Sequence, residues 1–154
     1  MSVRAAGAMP VDPASGMTVL VVDDEPHIGR IIRTRLEQAG FTVLLAEHGP
    51  EALSHLESTA AVNLMVLDLM LPGMSGTEIL RIVRNDMRWR ALPCIVLTAA
   101  GQDAQLREVE SLGVSEIMTK PFSPRRLLER VRAHTGTTLA EPASTDCPPA
   151  PVVP

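Results

Sequence analysis

Cysteine is scarce in this sequence, with Cys94 in an apolar run and Cys147 in a proline-rich stretch. Two residues so placed fit neither a disulfide framework nor a cysteine-based metal site. Long apolar runs are missing too: no stretch of about 18 apolar residues occurs, so no membrane insertion is expected. Residues 1–16 hold one arginine and several prolines and glycines but no continuous apolar core. They do not read as a secretory leader, and a cytoplasmic protein is the expectation. Positive charge is not in excess. The net charge is −4 at pH 7 and the pI about 5.5, which gives no support for direct nucleic-acid binding. Tyrosine is absent, and Phe41, Trp89 and Phe122 are the only aromatics. Lysine occurs once, as Lys120, beside 13 arginines.

What is present has the balance of a soluble globular protein: 45% apolar and 21% charged in 154 residues, room for one ordinary domain. Residues 1–16 are read as a disordered N-terminal tail. Residues 137–154 hold five prolines and few large apolar side chains, and are read as a disordered tail or linker. The domain is expected over 17–136. Five short apolar runs, at 18–22, 41–46, 64–67, 93–98 and 114–119, suit strands buried on both faces. The fifth is the weakest, because Ser115 and Glu116 interrupt it. Between them lie amphipathic stretches at 26–39, 50–58, 76–85, 102–112 and 124–134. The first places Ile28, Ile31, Ile32 and Leu36 on one face, with Pro26 in its first turn and Gly40 as its stop. The last has Ser123 as N-cap and Pro124 at its first position. Counting along the chain gives β1–α1 to β5–α5. Such alternation predicts an α/β fold, a parallel sheet with helices on both faces. Ligands of these sheets bind beyond the carboxyl ends of the strands.

The first strand run is followed by Asp23-Asp24-Glu25 and the third by Asp68. The fourth ends in Thr98, followed by Ala99-Ala100-Gly101, and the fifth is followed by Lys120-Pro121-Phe122. A parallel sheet brings these ends to one edge. Asp23, Asp24 and Asp68 carry three negative charges there, and Lys120 carries one positive charge. Crowded carboxylates raise one another's pKa or recruit a cation. A divalent cation would bring the sum to zero, and oxygen ligands without histidine or cysteine favour Mg²⁺. A compact ammonium suits a phosphate. The Thr98 hydroxyl can donate, and the small Ala99 lets a backbone N–H approach. The edge reads as a phosphoryl-accepting site with Asp68 as the oxygen nucleophile. A strand-end aspartate alone is more simply a helix cap, and Lys-Pro alone a turn. Capping does not account for all four ends together.

The pieces VLVVDDEPHIGRIIRTRLEQAGF, VLDLMLPGMSG, IVLTAAG and MTKPFSPRRLLERVR, in this order and at these intervals, resemble the receiver domain of bacterial two-component response regulators. The resemblance covers nearly all of 17–136. It implies a doubly wound, flavodoxin-like sheet of five parallel strands in the order 2-1-3-4-5 with five helices. It implies that Asp68 accepts a phosphoryl group from a histidine kinase or phosphotransfer protein. Asp24 would bind Mg²⁺ directly and Asp23 through water, with Asp68 and the Met70 backbone carbonyl as further ligands. Thr98, the Ala99 backbone and Lys120 would contact the phosphoryl oxygens. The Lys120–Pro121 bond would be cis, and a downstream partner would use the α4–β5–α5 face. The family often has tyrosine or phenylalanine at the position of Ile117, where the ring swings as the threonine moves. With Ile117 as the switch residue, transmission would pass through the backbone of the β4–α4 loop instead. Ser75 stands where the family more often has aspartate, a helix-capping exchange.

With only the proline-rich stretch after residue 136, the expectation is a stand-alone, chemotaxis-regulator-like protein, monomeric or weakly dimeric. A receiver from a longer chain fits the same sequence. An aspartyl-phosphate phosphohydrolase would want a second aspartate two residues after Asp68, where Met70 stands. A flavodoxin-type electron carrier would want a Ser/Thr/Gly-rich loop after the first strand, where DDEPH would repel phosphate. A receiver-like interaction module independent of phosphate is the other alternative, kept open by Ile117. His27 is read as a surface residue of the first helix, and His48, His55 and His134 lack ligand spacing. Trp89 is expected to pack locally on the opposite edge from the site. Arg125, Arg126, Arg130 and Arg132 are read as a solvated face of the last helix, with a docking surface as the alternative.

Overall fold

β1 (Thr18–Val22) carries the alternation that organises the molecule. Val19 and Val21 join one core, Leu20 and Val22 the other. The computed structural model describes residues 16–58, 61–99 and 103–135. The two expected tails, apart from Gly16, and Ala100 and Gly101 lie outside them. The other strands are β2 (Thr42–Ala46), β3 (Leu64–Asp68), β4 (Cys94–Thr98) and β5 (Glu116–Thr119). The helices are α1 (Pro26–Gln38), α2 (Gly49–Ser58), α3 (Gly76–Asn85), α4 (Asp103–Ser111) and α5 (Pro124–Thr135). All strand pairs are parallel, in the order β2-β1-β3-β4-β5. β3 and β4 are buried at every position, which is why they read as unbroken apolar runs.

Residues of α1 and α5 (Ile32, Leu36, Leu127, Val131) pack in one core with Val19, Val21, Ile95 and Leu97. Residues of α2, α3 and α4 (Ala52, Leu56, Ile79, Leu80, Val83, Val109) pack in the other with Leu20, Val22, Leu67 and Val96. Each fully buried Leu, Ile or Val contributes about 1.5–3 kcal/mol relative to an exposed one. Ile31 differs from expectation: it is 45% exposed, because Ile32 and Leu36 already fill the sheet-facing stripe of α1. β2 starts one residue late, since the Phe41 N–H donates to Leu36 O at the end of α1. β5 starts at Glu116. Gly113 ends α4 with φ +76°, and the Ser115 N–H is already bonded to Cys94 O.

Arg84 ties the lower edge together. Its guanidinium donates to Leu112 O (2.8 Å) and Gly113 O (3.1 Å) beyond α4, and to Leu92 O (2.8 Å) and Arg90 O (3.2 Å) before β4. Arg84→Met leaves these carbonyls without their donor and is expected to cost about 1–3 kcal/mol in thermal unfolding. Arg33→Met breaks only an exposed pair with Glu37 and is expected to stay within about 0.5 kcal/mol of wild type.

Trp89 lies in the connection from α3 to β4, on that same edge. The Arg88 guanidinium stacks on its ring at 4.2 Å. Arg88 also bonds both Glu57 oxygens (2.8 and 3.0 Å) and Asp86 Oδ2 (2.8 Å). Hydrogen bonds from Arg88 hold Asp86 down to about 2 and pull Glu57 below its ordinary range. Both carboxyls are depressed, so the stability of this clamp is present above their ordinary values and is lost as pH falls toward 2. Trp89 emission is expected to hold steady from neutral pH down to the ordinary glutamate value of 4.5, then shift on further acidification toward 2. Arg88→Met is expected to remove that step.

Candidate phosphoryl-accepting site

The carboxyl edge of the sheet assembles the site from four strand ends. Asp23 follows β1. Its N–H donates to Ala46 O at the end of β2 (3.0 Å), and its Oδ1 accepts from the Glu25 N–H (2.9 Å). That bond is a side-chain turn leading into α1, so the capping reading holds for one oxygen. The other oxygen, Oδ2, faces Lys120 Nζ at 3.3 Å. Asp24, next along the chain, is exposed. Asp68 ends β3 and is 3% exposed. Its Oδ1 accepts from the Met70 N–H (3.0 Å) and its Oδ2 from Lys120 Nζ (2.9 Å).

Lys120 directly follows β5. Its own N–H donates to Thr98 O (2.7 Å), which carries the strand pairing one step past the last register pair. The Lys120–Pro121 bond is cis, and Phe122 packs against the α1–α5 core. The chain turns away there while the lysine side chain lies back over the sheet edge to both aspartates. Thr98 ends β4, is buried, and its hydroxyl donates to Ala99 O (3.3 Å). Ala99 is exposed. Ile117 pairs with Val96 inside the sheet and packs, half-buried, on the α2–α3–α4 core. Met70 is 58% exposed, with its backbone N–H on Asp68.

Burial is the largest influence on the Asp23 carboxyl and, with the Asp68 charge, raises its pKa against the lowering effects of the Glu25 N–H and Lys120. Burial alone would lower the Lys120 ammonium. The hydrogen bond from Lys120 to Asp68 and the charges of Asp23 and Asp68 outweigh it and raise the pKa. Ligand oxygens of Asp23, Asp24 and Asp68 lie within 4.8 Å of one another. Among the described residues no other group of three acidic, histidine or cysteine side chains converges in this way. Hard oxygen donors with a residual double negative charge fit Mg²⁺, and the absence of nitrogen or sulfur donors from the group does not favour zinc.

Two features beside the site carry no signal in the sequence. One is the Met70 N–H, a backbone group that composition cannot reveal. The other is Gly76, which directly follows the N-cap Ser75 where an ordinary helix former would serve. Of the arginines on α5, Arg130 is half-buried and, with His134, bonds Glu116 Oε1 on β5 (Arg130 Nη2 and His134 Nε2, both 3.0 Å). His27 is exposed on α1.

The sequence matches the response regulator receiver domain family over residues 19–132. It is 36% identical to the chemotaxis protein CheY1 of Helicobacter pylori over 122 residues, 79% of this chain and 98% of that protein. It is 40% identical to the transcriptional regulatory protein ResD of Bacillus subtilis over 124 residues, 80% of this chain but 50% of that protein. The solved structure of a response regulator receiver protein from Pseudomonas putida aligns with a TM-score of 0.73 and 30% identity, covering 78% of this chain and 98% of the other. The strand order, the strand-end residues and these likenesses agree: the chain belongs to the response regulator receiver domains of two-component signalling.

Proposed function

We propose that this chain is a phosphorylation-controlled switch whose acceptor is Asp68. An Asp68 carboxylate oxygen attacks the phosphorus of a phosphohistidine carried by a sensor histidine kinase or phosphotransfer protein. The O–P bond forms, the P–N bond to the imidazole breaks, and the imidazole leaves. The observation that carries this reading is the Lys120 ammonium, 2.9 Å from Asp68 Oδ2 in a site where Asp68 is 3% exposed. A fixed positive charge beside a buried nucleophile offsets the charge that develops on the transferred group. Thr98 and the Ala99 N–H complete the phosphoryl contacts. Asp23, Asp24, Asp68 and the Met70 carbonyl would hold Mg²⁺, Asp24 directly and Asp23 through water. When bound, the ion neutralises phosphoryl oxygens.

The acyl phosphate adds nearly two negative charges at the sheet edge. Thr98 and Lys120 close on it, and Ile117, on the strand beside β4, repacks without a ring. The population of the α4–β5–α5 surface shifts toward the form a downstream protein prefers. Water then returns Asp68 to the carboxylate, so the chain turns over its own phosphoryl group and is not otherwise an enzyme. The partners are proteins, not nucleic acid or membrane. Among the described residues no helix is long and apolar enough to cross a membrane. The protein is read as cytoplasmic and as a monomer or weak homodimer.

The test is incubation with Mg²⁺ and acetyl phosphate or phosphoramidate, read by intact mass. One added phosphoryl group, lost with EDTA, is expected. Absence of uptake both from these donors and from a phosphohistidine protein would favour the phosphate-independent interaction module.

A further inference from the structure

The geometry points to Gly76 as a positioning residue for the Asp68 site: having no side chain, it lets the first turn of α3 rest on the 68–69 peptide and so fixes Met70 against Asp68. The inference rests on the proposed phosphoryl-accepting role. The Gly76 N–H donates to Leu69 O at 3.0 Å, closing the loop that carries Met70. A methyl group at position 76 would overlap the Asp68 carbonyl oxygen. It would also come within 2.7 Å of Leu69 Cα and 3.1 Å of the Asp68 carbonyl carbon. All three are backbone atoms, with no flexible side-chain end to swing aside. Gly76 is not in the left-handed region, so the requirement is for space alone.

Neither side of this contact is free to retreat. On the helix side, Ser75 Oγ accepts from the Glu78 N–H (3.2 Å) and the Ser75 N–H donates to Glu78 Oε1 (2.9 Å), a reciprocal cap that sets where α3 begins. On the strand side, the Leu69 N–H is bonded to Leu97 O at 3.1 Å. A side chain at 76 therefore displaces the 68–70 backbone. The Met70 N–H is bonded to Asp68 Oδ1, so the displacement reaches the carboxylate and the neighbouring carbonyl, the two groups that Met70 and Asp68 would offer to a divalent cation. Disturbing the groups that orient metal ligands costs roughly 10–100-fold in affinity.

The test measures Mg²⁺ affinity by calorimetry and phosphoryl uptake from acetyl phosphate, well below the unfolding temperature, for wild type, Gly76→Ala and Ser75→Ala. Gly76→Ala is expected to bind Mg²⁺ roughly 10–100-fold more weakly and to take up phosphoryl groups more slowly. Ser75→Ala, which loses the cap but keeps the Gly76 contact, is expected to unfold at lower temperature with both properties unchanged. A folded Gly76→Ala with wild-type Mg²⁺ affinity overturns the inference. A second measurement needs no variant: in the wild-type protein the Gly76 amide resonance is expected to move with Mg²⁺ at the same half-saturation as that of Met70, while Gly113, at the far end of α4, stays. An unmoved Gly76 amide overturns the inference as well. Wild type that neither binds Mg²⁺ nor accepts a phosphoryl group overturns the function proposed for the site instead.

Discussion

Asp68→Asn is expected to abolish phosphoryl uptake while the fold persists. The exchange keeps shape and volume but replaces the nucleophilic carboxylate with an amide. The loss is expected to be at least about 10³-fold, the scale on which removal of a nucleophile acts. Stability should move by no more than about 1 kcal/mol. Lys120 loses the charge of its 2.9 Å partner but keeps Asp23 at 3.3 Å, and the repulsion between Asp23 and Asp68 disappears. Intact mass after exposure to acetyl phosphate reads the first effect and thermal unfolding the second. Uptake by Asp68→Asn at the wild-type rate would place the acceptor elsewhere.

Lys120→Met is expected to have the largest effect on stability of any change at the site. It leaves Asp23 and Asp68, both 3% exposed, facing each other without a counterion. Breaking a buried pair costs about 3–5 kcal/mol. The Lys120 side chain is 24% exposed, so the screened value is expected at or below the lower end, about 2–3 kcal/mol at neutral pH. The pH dependence has a definite sign. The Lys120 pKa is raised above its ordinary 10.5, so its contribution is fully present below that value and is lost as pH rises through the raised one. The gap between wild type and variant should therefore close in strong alkali. Three uncompensated carboxylates attract a divalent cation more strongly than three with a lysine among them, so Mg²⁺ should restore more stability to the variant than to wild type. Uptake should nevertheless fall by about 10²–10³-fold, as when a donor to a developing charge is removed. Lys120→Arg is not a conservative control, since a planar fork cannot replace a compact ammonium between two carboxylates.

The central strands and the site were legible because both obey short-range rules. Strands buried on both faces must be apolar through their interiors, and β1, β3 and β4 are, with Thr18, Asp68 and Thr98 only at their ends. A parallel sheet must bring its strand ends to one edge, so Asp23, Asp24, Asp68 and Lys120 could be grouped before any distance was known. The edge strands were harder to delimit. The starts of β2 and β5 are set by where α1 and α4 release the chain, through the Phe41 N–H and the left-handed Gly113. Ile31 looked like core because periodicity cannot tell the centre of an apolar stripe from its border. Arg84 was invisible because its acceptors are backbone carbonyls up to 29 residues away, which no side-chain pattern encodes. Gly76 carries no side-chain signal for a related reason: what it must avoid is the backbone of residues 68 and 69.

The most direct test of the central claim is the location of the phosphoryl group. An acyl phosphate is cleaved by borohydride, which converts the aspartyl residue that carried it to homoserine, and peptide mass spectrometry then reads the position. After reaction with a phosphohistidine donor or acetyl phosphate in Mg²⁺, the account predicts homoserine at position 68 and nowhere else. Homoserine at Asp23 or Asp24, or a phosphorylated protein in which no aspartate is reduced, would contradict it.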